Sequence, residues 1–176
     1  MIVFAGIIIV VILVAWYAFS QPPNPPGGVG VVAPDFQLLE VTAQGLTDRT
    51  VQLSSFRGKV VVVEFMVSWC PVCQEMASSL TYLNEKYRPQ DVVFLSVAGT
   101  QSGATAESTA EFIREHGTTW TYVLDTTDGN SVFTSYGVEA TPSFFVIDRS
   151  GKILSNFRGF VATEAFSAAI DAALSG

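Results

Sequence analysis

Cysteine is nearly missing from this chain: Cys70 and Cys73, three positions apart, are the only two in 176 residues. So small a complement excludes the disulfide-dense framework of a small secreted scaffold. Histidine is rarer still, with His116 alone. A structural zinc site takes about four ligands, and two cysteines with one distant histidine do not supply them. Charge is also sparse: charged residues make up 14% of the chain, against a usual share of about a quarter. The net charge of −7 comes with no basic cluster, which excludes nucleic acid as a natural partner. No internal repeat is visible. Apolar residues are plentiful instead, at 49%, and the length fits one ordinary domain plus an appendage.

The appendage is N-terminal. Ile2 to Phe19 is an unbroken apolar run of 18 residues with Trp16 and Tyr17 near its end. That is just long enough to cross a bilayer as a helix, with the aromatic pair at the interface. The competing reading is a cleaved signal peptide, for which Ala18-Phe19-Ser20 is a tolerable site. A basic leader is missing, however, and the run exceeds the usual length for such a peptide. A buried helix of a soluble core is opposed by the proline-rich segment that follows. Residues 1–20 are therefore read as a transmembrane anchor, meeting the lipid bilayer through residues 2–19. Its orientation is poorly encoded, because no Lys or Arg precedes Arg49. Residues 21–33, opening Gln-Pro-Pro-Asn-Pro-Pro-Gly-Gly, read as a linker: prolines extend it and glycines loosen its end. Residues 34–176 are the domain.

Within the domain, the β-branched run Val60 to Val67 predicts a fully buried strand. After Ser68-Trp69, the residues Cys73, Met76, Ala77, Leu80, Leu83 and Tyr87 recur at helical spacing. Cys70 and Cys73 then share the first turn of a helix, where their sulfurs can meet. Unpaired N–H groups and the positive end of the helix dipole favour a thiolate at Cys70, lowering its pKa. Cys70 is thus the candidate nucleophile, and Cys73, one turn in and more buried, the resolving thiol. Pro71 suits the first helical position, where a missing N–H costs nothing. An inert staple is the rival reading, though a ring this short restrains little unfolded-chain entropy. Glu64 interrupts the apolar strand. A buried carboxylate tends to stay protonated, with its pKa raised; the alternative is that it reaches a polar loop.

The other elements follow the same signals. Residues 34–38 and 50–53 alternate as two half-buried strands, with Gln44-Gly45 and Thr47-Asp48 offering turn chemistry between them. Asp91 to Val97 predicts a second buried strand, Thr105 to His116 a helix closed by Gly117, and Thr119 to Leu124 a short strand. Asn130 to Tyr136 reads as a short helix ended by Gly137. Ser143 to Ile147 and Lys152 to Phe157 flank the turn sequence Asp148-Arg149-Ser150-Gly151. Glu164 to Leu174 is a closing amphipathic helix with Thr163 as its N-cap. His116 reads as a capping residue, Met76 as core, and Glu75 as a solvated residue near the helix start.

Taken together, Phe56-Arg57-Gly58-Lys59, the valine strand and Trp69-Cys70-Pro71-Val72-Cys73 resemble the thioredoxin superfamily, specifically its TlpA-like, membrane-tethered branch, over about residues 34 to 174. The resemblance implies a thioredoxin-like α/β fold: a central mixed sheet flanked by helices, with an N-terminal β-hairpin and an extra strand–helix insertion, preceded by a transmembrane helix. It also implies a cis peptide bond at Thr141-Pro142, facing the dithiol, where Thr141 presents backbone to an extended substrate and Pro142 keeps metals off the thiols. Trp69 and Pro71 would border the same docking surface, with a plain core role as the alternative for Trp69. Glu64 matches a buried aspartate of thioredoxin that shuttles a proton for the resolving thiol, acting here on Cys73 through a water. Two positions depart from the branch: Met66 stands where many relatives carry tryptophan, and Glu64 where many carry asparagine.

The function so implied is that of a thiol–disulfide oxidoreductase without cofactor or metal. It would be held at the cell membrane by a single pass with its catalytic domain extracytoplasmic, and would reduce disulfides of exported proteins, for example in cytochrome c biogenesis. Electrons would come from a membrane donor of the thiol-transfer type. Two rivals remain. Pro-Ser-Phe-Phe-Val-Ile-Asp also occurs in peroxiredoxin-like thiol peroxidases, but those place threonine or serine three residues before the active cysteine, where this chain has Val67. A copper-delivering module would want cysteines one residue further apart and a nearby histidine.

Overall fold

The computed structural model describes residues 27–126 and 131–176. The apolar run at residues 2–19, the proline part of the linker and Asn130 lie outside the described residues. Among the described residues, no helix is long and apolar enough to cross a membrane.

Seven strands form one mixed sheet: β1 (Gln37–Thr42), β2 (Gly45–Gln52), β3 (Val60–Met66), β4 (Val92–Gly99), β5 (Thr121–Asp125), β6 (Ser143–Ile147) and β7 (Ile153–Arg158). Their spatial order is β2-β1-β5-β4-β3-β6-β7. Strands β3, β4 and β5 run parallel, and the remaining neighbours pair antiparallel. Parallel neighbours need crossovers; helix α1 (Pro71–Tyr87) links β3 to β4 and helix α2 (Ala106–His116) links β4 to β5. A single-turn helix α3 (Val132–Ser135) and the closing helix α4 (Thr163–Ser175) complete the chain. The unit β3-α1-β4 followed by β6-β7-α4 is the thioredoxin-like arrangement expected. The N-terminal hairpin and the β5–α2 insertion extend the same sheet, because β1 pairs with β5.

Every residue of β3 is buried, as a strand covered on both faces requires. One face carries Val61, Val63 and Phe65 into a cluster with Phe133, Tyr136 and Phe145. The other packs Val60 and Val62 beneath α1 and α4, and Met66 with Cys73 and Ala77 of α1 and Phe112 of α2.

Several expectations need correction. The hairpin is longer than its alternating ends implied, turning at residues 43–44, so that Thr47 and Asp48 lie within β2. Cross-strand pairing, with Val41 opposite Leu46 and Leu39 opposite Thr50, outweighs the local turn preference of Thr47-Asp48. Thr163 is the first residue of α4 rather than its N-cap; Ala162 holds that position without a side-chain bond. Strand β5 begins at Thr121, later than Thr119. Glu75 is exposed, on the turn after the first. Thr105 does cap α2, accepting from the Ser108 N–H in a reciprocal capping box, and Gly117 ends it at φ +60°. His116 bonds the Phe112 carbonyl through Nδ1 at 3.0 Å, within α2.

The glycine end of the linker is docked on the domain. Gly30 N–H donates to the Ile153 carbonyl at 2.7 Å, and Ile153 N–H returns a bond to the Val31 carbonyl at 2.9 Å. Gly27, at φ +72°, approaches so closely that a Cβ there would fall 2.3 Å from the Tyr136 carbonyl oxygen. Glycine serves close backbone approach at this point rather than looseness.

Candidate active site

The buried strand β3 delivers the chain to the dithiol beyond its C-terminal end, in the interior of the sheet order. Cys70 is the N-cap of α1, in extended backbone geometry (φ −73°, ψ 118°), and Pro71 occupies the first helical turn. The Cys73 N–H donates to Cys70 Sγ at 3.4 Å, so an otherwise orphaned helix-end donor points at the sulfur and can hold negative charge there. Both cysteines are free thiols. Their surroundings differ sharply over one turn: Cys70 keeps 5% exposure and Cys73 none.

The Thr141–Pro142 bond is cis, as the resemblance implied. It brings the Thr141 carbonyl to 3.5 Å from Cys70 Sγ, whose S–H donates to it. A groove of about 570 Å³ opens over this contact, lined by Trp69, Cys70, Pro71, Phe133, Glu139 and Thr141 among others. Trp69 is 61% exposed, which removes the core reading. Its indole N–H donates to the Ser102 carbonyl at 3.1 Å, holding the ring at the groove rim. Behind it, the Ser68 hydroxyl donates to Ser108 Oγ of α2 at 2.9 Å, and Gln74 bonds the Ser68 carbonyl at 3.0 Å. The loop between strand and helix is tied on both sides.

Glu64 is 3% exposed, on the sheet face that Met66 and Cys73 share. Burial raises its carboxyl to about 7, opposed by a hydrogen bond from Ser96. The Cys73 thiol is pushed far above its ordinary range, first by burial and next by the charge of Glu64. Cys73 is therefore a neutral thiol that needs a base before it can act, and Glu64 titrates in the range where it can serve as one. All seven residues singled out in the sequence find places in this neighbourhood. Cys70, Pro71, Trp69 and Thr141 line the groove; Pro142 follows Thr141 across the cis bond; Cys73 and Glu64 are buried behind it.

Sequence reasoning missed the polar company of Glu64. Glu64, Ser96 and Tyr122 are register partners across β3, β4 and β5. Trp120 donates its indole N–H to Ser96 Oγ at 2.8 Å. The available signal was a lone hydroxyl in the apolar run Val92 to Ala98, which becomes informative only once strand register is known.

The chain matches the Redoxin family model over residues 28–174. It is 30% identical, over 77% of its own length and 72% of the relative's, to thiol-disulfide oxidoreductase ResA of Geobacillus thermodenitrificans. It is 28% identical, over 92% and 87%, to thiol:disulfide interchange protein HelX of Rhodobacter capsulatus. Among solved structures, a protein described as thiol:disulfide interchange protein DsbE from Chlorobium tepidum superposes with a TM-score of 0.70 at 28% identity, over 83% of this chain and 97% of that one. The Redoxin match spans the dithiol at the start of α1, and the chain belongs to the Redoxin family as a TlpA-like member of the thioredoxin superfamily.

Proposed function

We propose that this thiol-disulfide oxidoreductase reduces disulfides of exported proteins, Cys70 attacking and Cys73 resolving, with Glu64 taking the proton from Cys73. One observation carries the assignment: a turn apart, one sulfur borders an open groove and the other is sealed beside a titrating carboxylate. An extended substrate lies along the Thr141 backbone, between Trp69 and Pro71. Cys70 thiolate attacks one substrate sulfur, forming a mixed disulfide and expelling the other as a thiolate. Cys73 then loses its proton to Glu64 and attacks Cys70 Sγ, expelling the second substrate thiolate. Two electrons pass to the substrate, and the Cys70–Cys73 disulfide awaits re-reduction by a membrane donor of the thiol-transfer type.

Anchoring by residues 2–19, with the domain extracytoplasmic and a role in cytochrome c biogenesis, completes the reading. Its support is the 18-residue apolar run and the likeness to the tethered branch. The test uses the full chain with insulin as disulfide substrate. Wild type, re-reduced by dithiothreitol, turns over; Cys73→Ser, without reductant, accumulates a mixed disulfide; Cys70→Ser does neither. Turnover retained by Cys70→Ser would sink the assignment. An equilibrium potential more negative than that of glutathione supports the reducing direction, and a higher one reverses it. Copper titration of the reduced protein beside the insulin assay separates catalysis from metal delivery, and resistance to carbonate extraction checks the anchor.

A further inference from the structure

The sheet face that carries Glu64 is apolar except along one row. Glu64 on β3, Ser96 on β4 and Tyr122 on β5 stand in register, and Phe144 of β6 lies opposite Glu64 on the other side. The titratable groups acting within this row are Cys73 from α1 and Tyr122 from β5. Trp120, just before β5, stacks on Tyr122 with ring centroids 5.6 Å apart.

The donors in this row leave little freedom. An indole N–H only donates, so Ser96 receives Trp120 on an oxygen lone pair, at 2.8 Å. The single hydrogen of the serine hydroxyl goes to Glu64 Oε2, at 2.5 Å. Oε2 is thereby kept as an acceptor, and a proton arriving on the carboxyl belongs on Oε1. Oε1 is buried with no hydrogen-bond partner among the described residues. A buried oxygen without a partner is uncommon and calls for an explanation.

We propose that Ser96, aimed by Trp120, is a positioning residue for the resolving step: it binds one oxygen of Glu64 and reserves the other for the proton that Cys73 gives up. The step balances. Cys73 Sγ–H passes its proton through a water to Glu64 Oε1, and the resulting thiolate attacks Cys70 Sγ. The bond between Cys70 and substrate breaks, its electron pair leaving with the substrate sulfur as the Cys70–Cys73 bond forms. The inference rests on Glu64 being the proton acceptor, and the experiment separates the two.

Reduced full-length protein mixed with Ellman's reagent releases one coloured thiolate as Cys70 is capped and a second as Cys73 closes the ring. Only the second phase is independent of reagent concentration, and its rate is followed across roughly pH 5 to 9. Wild type shows an inflection near neutrality. Ser96→Ala moves it upward by about one pH unit, because the carboxylate loses its donor. Trp120→Phe moves it the same way by less, Ser96→Thr restores the wild-type profile, and the first phase is unchanged throughout. A merely structural role would alter amplitudes or stability without displacing the inflection. If Glu64→Gln abolishes the inflection while Ser96→Ala and Trp120→Phe superpose on wild type, the positioning role is overturned and the role of Glu64 stands. If Glu64→Gln keeps the inflection, both fall. Should Ser96→Ala not fold, Trp120→Phe decides alone.

Discussion

Strand β3 presents neighbouring residues to two unlike interiors. On one face, Phe65 meets Phe133 edge-on at 5.0 Å and Phe145 at 5.5 Å, and the nearby Tyr136 hydroxyl donates to the Pro34 carbonyl at 2.9 Å. Aromatic rings fill that side and its phenol is satisfied. One residue along, on the other face, Glu64 shares its row with Ser96 and Tyr122, and among the described residues nothing partners Glu64 Oε1. The first face has the features of a region that only holds the fold together. The second retains polar atoms that weaken the fold, which is what a site handling protons requires. The same seven-residue strand thus stabilises on one side and, on the other, carries the carboxylate proposed to handle protons.

The sharpest way to break this contrast is to damage the aromatic face. Phe65→Ala is expected to cost about 4 kcal/mol, read by denaturant unfolding, while the pH inflection of ring closure stays where it is. A displaced inflection would show that the two faces are not separable. Next in size is the effect of Glu64 itself. Its carboxyl titrates at about 7 in the fold and at 4.5 as the reference value, so between these limits the native state holds a proton the unfolded chain has lost. The contribution of Glu64 to the stability of the reduced protein is then greatest below pH 4.5, falls as pH rises to about 7, and levels off above. The full fall is about 3 kcal/mol, and Glu64→Gln flattens it; a wild-type curve that is level or rises across the same window contradicts the burial argument. The smallest effect belongs to the rim. Trp69→Ala, at a residue 61% exposed, is expected to change stability by less than about 0.5 kcal/mol. It should raise KM for a protein disulfide severalfold and leave ring closure with Ellman's reagent unaltered. Loss of ring closure would place Trp69 in the chemistry rather than in docking.

What was legible before the structure was local. The valine run, the helical spacing after Cys73, Thr105 and Gly117 as the ends of α2, and the Asp148 to Gly151 turn each depend on neighbours a few positions away. The structure reproduces them within a residue or two. Two of the misreadings share one cause. Thr47-Asp48 and the glycines after Pro26 carry turn or loop preferences worth little beside a row of backbone hydrogen bonds, and strand pairing overrode both. Thr163 is a good capping residue by type, but the chain enters α4 one position earlier. At the site, Cys70, Cys73 and Pro71 were legible from spacing, and Glu64 from being a carboxylate in an apolar strand. Thr141, Pro142 and Trp69 came through family likeness. Ser96 and Trp120 were not legible at all, since one hydroxyl in a buried strand and one indole before another strand are ordinary residues taken singly.

The amino-acid order by itself determined where the dithiol stands. Two cysteines one turn apart at the start of a helix have their separation and their relation to the helix end set by covalent geometry and hydrogen bonding over four residues. Only the tertiary structure decided the differing surroundings of the two sulfurs, a groove at Cys70 and the row of Glu64 and Ser96 near Cys73. Those differences arise from strand register and from the layer of helices above it, and contacts between residues dozens of positions apart are not encoded in any short stretch of chain.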